Sequence, residues 1–245
     1  MQALTEEPNS EALSRRVIFI GAALNGREDV FDNDLHLMDQ ALHRQFGDAY
    51  RSVLLSNVRV FQGERRLPLA TIEHLEDVFE ALAASRRPND RYVIFLDSHG
   101  HPGLMEVEQA ARYASPRLLE YAKVSDWAES LAPQPTLIVL SACFSGSAVP
   151  RLGQDHLIVM TAAAGHRTSF GCSTREQHTW FVRALVSALQ ASENGPAADS
   201  LEAVWRRTLS QVSAEEQARK LVPSLPQIRV GDAVKEKFDA SFPGF

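Results

Sequence analysis

Two side chains able to do covalent chemistry each follow a short apolar run that ends in small polar residues. His99 comes after Tyr92-Val93-Ile94-Phe95-Leu96 and Asp97-Ser98. Cys143 lies 44 residues further on, after Leu137-Ile138-Val139-Leu140 and Ser141-Ala142. Short β-branched runs bounded in this way read as buried strands. In open α/β sheets, ligands bind beyond the carboxyl ends of the strands. Neighbouring strands lie about 5 Å apart, so adjacency would project an imidazole and a thiol from one rim. Nucleophilic cysteine catalysis needs that pair, because the thiolate attacks and the thiol does not. A free thiol titrates near ~8.5 and is only a few per cent ionised at neutral pH. An imidazolium, or a helix N-terminus beyond Cys143, raises that fraction, and the imidazolium can later protonate a leaving amine. Gly100 allows its N–H to approach a bound carbonyl and, with the Cys143 N–H, to form an oxyanion hole. Gly146, between Ser145 and Ser147, permits a sharp turn from strand into helix.

The elements that must hold these groups follow from the apolar pattern. Val17–Ile20, Ser52–Leu55, Tyr92–Leu96, Leu137–Leu140 and Leu157–Met160 read as strands, and Pro223–Val230 allows a short edge strand. Between them lie helical stripes: Leu35, Met38, Leu42 and Phe46 over 33–46, then Ile72, Leu75, Phe79 and Leu82 behind a Thr71 cap. Ser125 is expected to cap a short helix through Trp127 and Leu131. Further helices run from His178 to Gln190 and from Leu201 to Leu209, and residues 101–124 read as irregular or a hairpin. Residues 1–15 read as a flexible tail, and 16–245 as one domain. Short, β-branched strands alternating with helices predict an α/β fold, a three-layer sandwich around a mostly parallel central sheet.

Composition excludes several classes of function. The chain is 44% hydrophobic and 23% charged, with 25 Lys and Arg against 31 Asp and Glu for a net charge of −6. No basic footprint for nucleic acid is present. Apolar runs of five or six residues are too short to span a bilayer. The start lacks an apolar signal core, which leaves a cytoplasmic protein or an exported chain stripped of its leader. The two cysteines, Cys143 and Cys172, have no zinc-ligand spacing, so neither a metal nor any other cofactor is expected.

Ser98-His99-Gly100 followed by Ser141-Ala142-Cys143-Phe144-Ser145-Gly146-Ser147 resembles the caspase-like clan of cysteine peptidases. Within that clan it is most similar to the legumain, or asparaginyl endopeptidase, family, whose His-Gly and Glu-Ala-Cys-x-Ser-Gly-Ser motifs carry the catalytic dyad. The similarity continues through Thr161-Ala162-Ala163-Ala164-Gly165-His166-Arg167-Thr168-Ser169-Phe170-Gly171-Cys172 and is echoed by Asn25-Gly26 and Ser224-Leu225-Pro226-Gln227. The resemblance implies a caspase-hemoglobinase fold and a cysteine endopeptidase acting on peptide or protein substrates through a thioester acyl-enzyme. It makes Cys143 the nucleophile and His99 the general acid/base, with the Gly100 and Cys143 amides as the oxyanion hole. A third polar residue, placed by the family after the first strand, falls on Asn25 or Glu28. Ser141 and Ser169 become pocket walls. With the chain ending at Phe245, the expectation is a bacterial-type member without the C-terminal inhibitory domain.

The specificity pocket departs from the family. Ser141 replaces its Glu, the helix position of another pocket acid falls near Arg183 and Ala184, and Val30-Phe31-Asp32-Asn33-Asp34 does not match its Arg-His pair. Asp34 resembles the acidic position with which metacaspases bind Lys or Arg, whereas Arg183 facing the pocket would favour an acidic residue. The two point in opposite directions. Asp97 either caps a turn or borders the site, Cys172 is expected to be structural, and His178 to start a helix. Competing with endopeptidase activity are a caspase-like regulatory or binding module without proteolysis, and a ligase or transpeptidase using the same acyl-enzyme.

Overall fold

The computed structural model describes residues 15–58, 67–109, 116–173, 175–193 and 200–240. Residues 1–14 of the expected tail at 1–15 lie outside them. Its core is a six-stranded sheet of β1 (Val17–Ala23), β2 (Tyr50–Ser56), β3 (Arg91–Asp97), β7 (Thr136–Ser141), β8 (Leu157–Thr161) and β9 (Gln227–Val230). The strand order is β2-β1-β3-β7-β8-β9. All pairs are parallel except the last, β8 with β9. A second sheet, β4 (Gly100–His101), β5 (Leu104–Val107) and β6 (Arg117–Glu120), stands in the antiparallel order β4-β5-β6 where an irregular stretch or hairpin was expected.

Helices cover both faces of the large sheet, which is why its strands are apolar on both faces rather than alternating. Odd-numbered side chains of β1, β3 and β7 (Val17, Phe19, Val93, Phe95, Leu137, Val139) pack against α1 (Asp29–Phe46), α4 (Trp180–Glu193) and α5 (Leu201–Ala218). The even-numbered ones (Ile18, Ile20, Tyr92, Ile94, Ile138, Leu140) pack against α2 (Ile72–Ser85) and α3 (Tyr121–Ser130). Phe79 of α2 stacks on Trp127 of α3, their rings 5.0 Å apart and 10° from parallel. A short helix, α6 (Lys235–Asp239), closes the described chain.

Local signals account for the start of three helices. Thr71 Oγ1 accepts the His74 N–H at 3.1 Å, and Ser200 Oγ accepts the Ala203 N–H at 3.2 Å, both as N-caps. Helix α1 starts at Asp29, earlier than its apolar stripe alone predicts, with Asp29 and Asp32 in the favourable first turn. Ser125 is not a cap. It sits inside α3, where its hydroxyl donates to the Arg151 carbonyl at 2.9 Å.

Candidate active site

Strands β3 and β7 end level with one another. Asp97 is the register partner of Ser141, and the Ser98 N–H still donates to the Ser141 carbonyl at 3.1 Å. Beyond that bond the strands separate, and His99-Gly100 and Ala142-Cys143 leave the same rim. A Cβ on Gly100 would collide with the Cys143 carbonyl oxygen and lie 2.9 Å from Ala142 Cβ. Only glycine lets the His99 segment come this close to the Cys143 backbone.

After Cys143 the chain turns through Phe144, a non-glycine residue in the left-handed region (φ 59°, ψ 13°). Such a conformation persists only where the surroundings impose it. Here the Phe144 N–H donates to the Arg167 carbonyl at 2.8 Å and the Gly146 N–H to the Ala163 carbonyl at 2.8 Å. The element beyond is a four-residue 3₁₀ turn, Ser145–Ala148, where the sequence suggests a helix. Gly146 serves close packing in place of a turn: a Cβ there would meet Gln227 Oε1, and the Ala163 carbonyl and Gly165 amide at 2.7 Å each.

The half-buried Cys143 sulfur accepts the Ser169 N–H at 3.3 Å, with the Ser169 carbonyl and hydroxyl oxygens at 3.7 and 3.8 Å. Its thiol is pulled down to about 6. The largest cause is a hydrogen bond from the Cys172 thiol. Burial opposes it, while the Ser169 amide and hydroxyl and the charge of His99 add to it. Cys172 is driven the other way, upward, by its bond to Cys143, by burial and by the Cys143 charge. The charge belongs on Cys143 because the Ser169 amide and His99 stabilise it there. Tyr121 is also raised, by burial and then by the Cys143 thiolate.

His99 is half-exposed, and its ring stands edge-on against Phe31 of α1, 5.1 Å away at 89°. The two expected third residues are not joined to it by a hydrogen bond among the described residues. Asn25 is buried and binds the loop after β5: its amide donates to Glu108 Oε2 at 3.4 Å and its Oδ1 accepts the Arg27 N–H at 2.9 Å. Arg27 pairs with Glu108 in turn. Glu28 precedes α1, with Oε2 buried and unpartnered.

The remaining site candidates divide into a buried group and an outlier. Asp34 of α1 is fully buried and accepts three hydrogen bonds, from the Thr179 N–H (3.0 Å), the Thr179 hydroxyl (2.6 Å) and His178 Nδ1 (2.9 Å). Thr179 Oγ1 lies 3.4 Å from Ser141 Oγ. Asp34 and Ser141 are thus brought together with Thr179, one helical turn before the Arg183 and Ala184 positions that the sequence offered. The Arg183 side chain instead turns to α5 and pairs with Glu215 at 3.6 Å. Asp97, facing the same layer, is 0% exposed, and neither carboxyl oxygen accepts a hydrogen bond of good geometry. Burial, then the nearby Asp34, holds its carboxyl well above the usual carboxylate range.

Sequence reading left Asp97 undecided, took Cys172 as structural and missed Thr179. One signal for Asp97 was available: it precedes His99 by two, as Ser141 precedes Cys143, which gives equivalent places at the two strand ends. No spacing announces Cys172 or Thr179. Among the described residues, no cluster of three His, Cys, Asp or Glu is placed to hold a metal, and no helix is long and apolar enough to cross a membrane.

Comparison with known proteins adds the lineage. A family model described as the peptidase C13 family matches residues 73–236. Among solved structures, the crystal structure of caspase-1 from Spodoptera frugiperda is similar in fold, with a TM-score of 0.59 at 13% identity, covering 88% of this chain and 85% of that one. No curated protein matches the chain.

Proposed function

This chain belongs to the peptidase C13 family, the legumain family of cysteine peptidases with a caspase-like fold, and from that premise we propose that it is an endopeptidase whose dyad is Cys143 and His99. The Cys143 thiolate attacks the scissile carbonyl of a peptide or protein substrate. Negative charge develops on the carbonyl oxygen and is met by the N–H groups of Gly100 and Cys143. The His99 imidazolium gives its proton to the departing amine, leaving a thioester on Cys143. Neutral His99 then takes a proton from water. The hydroxide adds to the thioester, and collapse of the second tetrahedral intermediate expels the thiolate and the new carboxylic acid.

The observation that carries this reading is the state of Cys143. Its sulfur accepts the Ser169 N–H at 3.3 Å, its thiol is pulled down to about 6, which favours the thiolate, and it stands on the rim from which His99 also projects. Exposure of a mixed peptide library, with products read by mass spectrometry and Cys143→Ala as control, tests it. Cleavages that vanish in the variant are expected. If the folded wild type gives no Cys143-dependent cleavage, a regulatory module on the same fold replaces the peptidase.

A further inference from the structure

Asp97 takes no part in the chemistry assigned to Cys143 and His99, yet it lies beneath them. It ends β3 on the face that carries Val93 and Phe95 toward α1 and α4. The groups facing it come from every element of that corner. Strand β7 contributes Ser141, α1 contributes Asp34 and the loop before α4 contributes Cys172, while His178 and Thr179, in the turn entering α4, bond to Asp34. Among these described residues one side chain can carry positive charge, His178, and it is already bonded to Asp34. Arg183 points elsewhere.

Two buried carboxyls thus share a corner with no cation between them, and the polar neighbours of Asp97 are the Ser141 hydroxyl, the Ser98 backbone and Asp34 itself, none in a hydrogen bond of good geometry. Burying an unpaired carboxyl is costly, and folds do not retain such a group for packing. What the corner lacks is a positive charge with several hydrogen-bond donors. Deepening the peptidase reading, on which it rests, we infer that Asp97, with Asp34 beside it, floors the pocket for the substrate residue on the acyl side of the cut bond, and that this residue is Arg or Lys. A guanidinium offers five N–H donors in a planar fork, enough for both Asp97 oxygens and one of Asp34. An ammonium offers three. A carboxamide offers two donors and no charge, and a carboxylate is repelled by both acids.

The test uses the full chain and a set of quenched peptides that differ only at that residue: Arg, Lys, Asn, Gln and Asp. Cys143-dependent cleavage after Arg and Lys is expected to exceed the others by about a hundredfold in kcat/KM. Asp97→Asn is expected to remove about that factor for Arg. The rate of Cys143 alkylation by iodoacetamide, measured in the same variant, gives the change at the nucleophile, and the loss for Arg is expected to exceed it at least about tenfold, which separates pocket from nucleophile. Cys143-dependent cleavage that favours Asn or Asp, or an Arg preference that survives Asp97→Asn, overturns the pocket and leaves the peptidase standing. If nothing is cleaved, the peptidase reading fails, and agmatine decides the pocket alone. Agmatine should slow Cys143 alkylation in the wild type and not in Asp97→Asn, and no protection in either overturns the inference.

Discussion

A thiol attacks a peptide bond only in the fraction that is ionised, so the environment of Cys143 matters more than its position. Three neighbours set that environment: the Cys172 thiol, the Ser169 amide at 3.3 Å and the His99 ring. The largest of them is the one the sequence does not reveal, because a cysteine 29 residues away carries no mark of facing another. Cys172→Ala removes its hydrogen bond. The pH midpoint for Cys143 alkylation is expected near 6 in the wild type and higher in the variant, toward the ordinary thiol value near ~8.5. Measured rates of iodoacetamide labelling from pH 5 to 9 decide it; coincident midpoints would show that Ser169 and His99 suffice. The expectation for Cys143, His99 and Gly100 rests on the opposite kind of signal. Each is a reactive or minimal residue a few positions beyond an apolar run, and a strand end is a local signal.

Elements turn these residues into a site by touching them at few points. The rings of Phe31 on α1 and His99 meet at right angles, so the helix that covers the sheet also bounds the imidazole. Phe31→Leu keeps an apolar side chain of similar bulk and is expected to cost less than about 1.5 kcal/mol of stability. It frees the imidazole, so kcat should fall by about tenfold or more with KM little changed. Steady-state kinetics separate the two, and unchanged kcat would deny Phe31 this positioning role. The 3₁₀ turn after Cys143 is held against the end of β8 through Gly146. Gly146→Ala drives a Cβ into backbone at Ala163 and Gly165, a clash expected to cost about 1–3 kcal/mol. Urea denaturation reads it as a lower midpoint at constant slope, and an unmoved midpoint would mean that the loop yields freely.

The elements themselves were legible where their signal is a bounded apolar run, as in the buried strands, or a long periodic stripe, as in α1. They were misread where a polar side chain finds a distant partner. Ser125 has the composition of a cap but bonds Arg151 across the fold. Asp34, Thr179 and Ser141 meet across separations of up to 145 residues, and no window along the chain contains them together. The family match begins at residue 73, after α1. The proposed dyad lies inside that match, whereas Asp34 lies before it.

At the scale of the whole molecule, a buried unpaired acid is a defect in the fold, and its removal should reveal the cost. The unfolded Asp97 carboxyl titrates near ~3.9, whereas in the folded protein burial and Asp34 hold its proton well above that range. Between those two values the folded state binds the extra proton and the unfolded state does not. Stability therefore falls as pH rises through that window and levels off above it. Below about pH 4 both states are protonated there, and the residue contributes no such penalty. Asp97→Asn abolishes the titration while keeping the side-chain shape. Its melting temperature should match that of the wild type most closely near pH 4, then exceed it by a margin that widens toward neutral pH. Thermal unfolding of both proteins at matched pH tests this. Parallel curves from pH 4 to 8 would show that Asp97 is satisfied in the folded chain and would remove the physical reason to expect a cation beside it. A widening gap would show a chain that gives up stability where it binds substrate, as strained functional sites do.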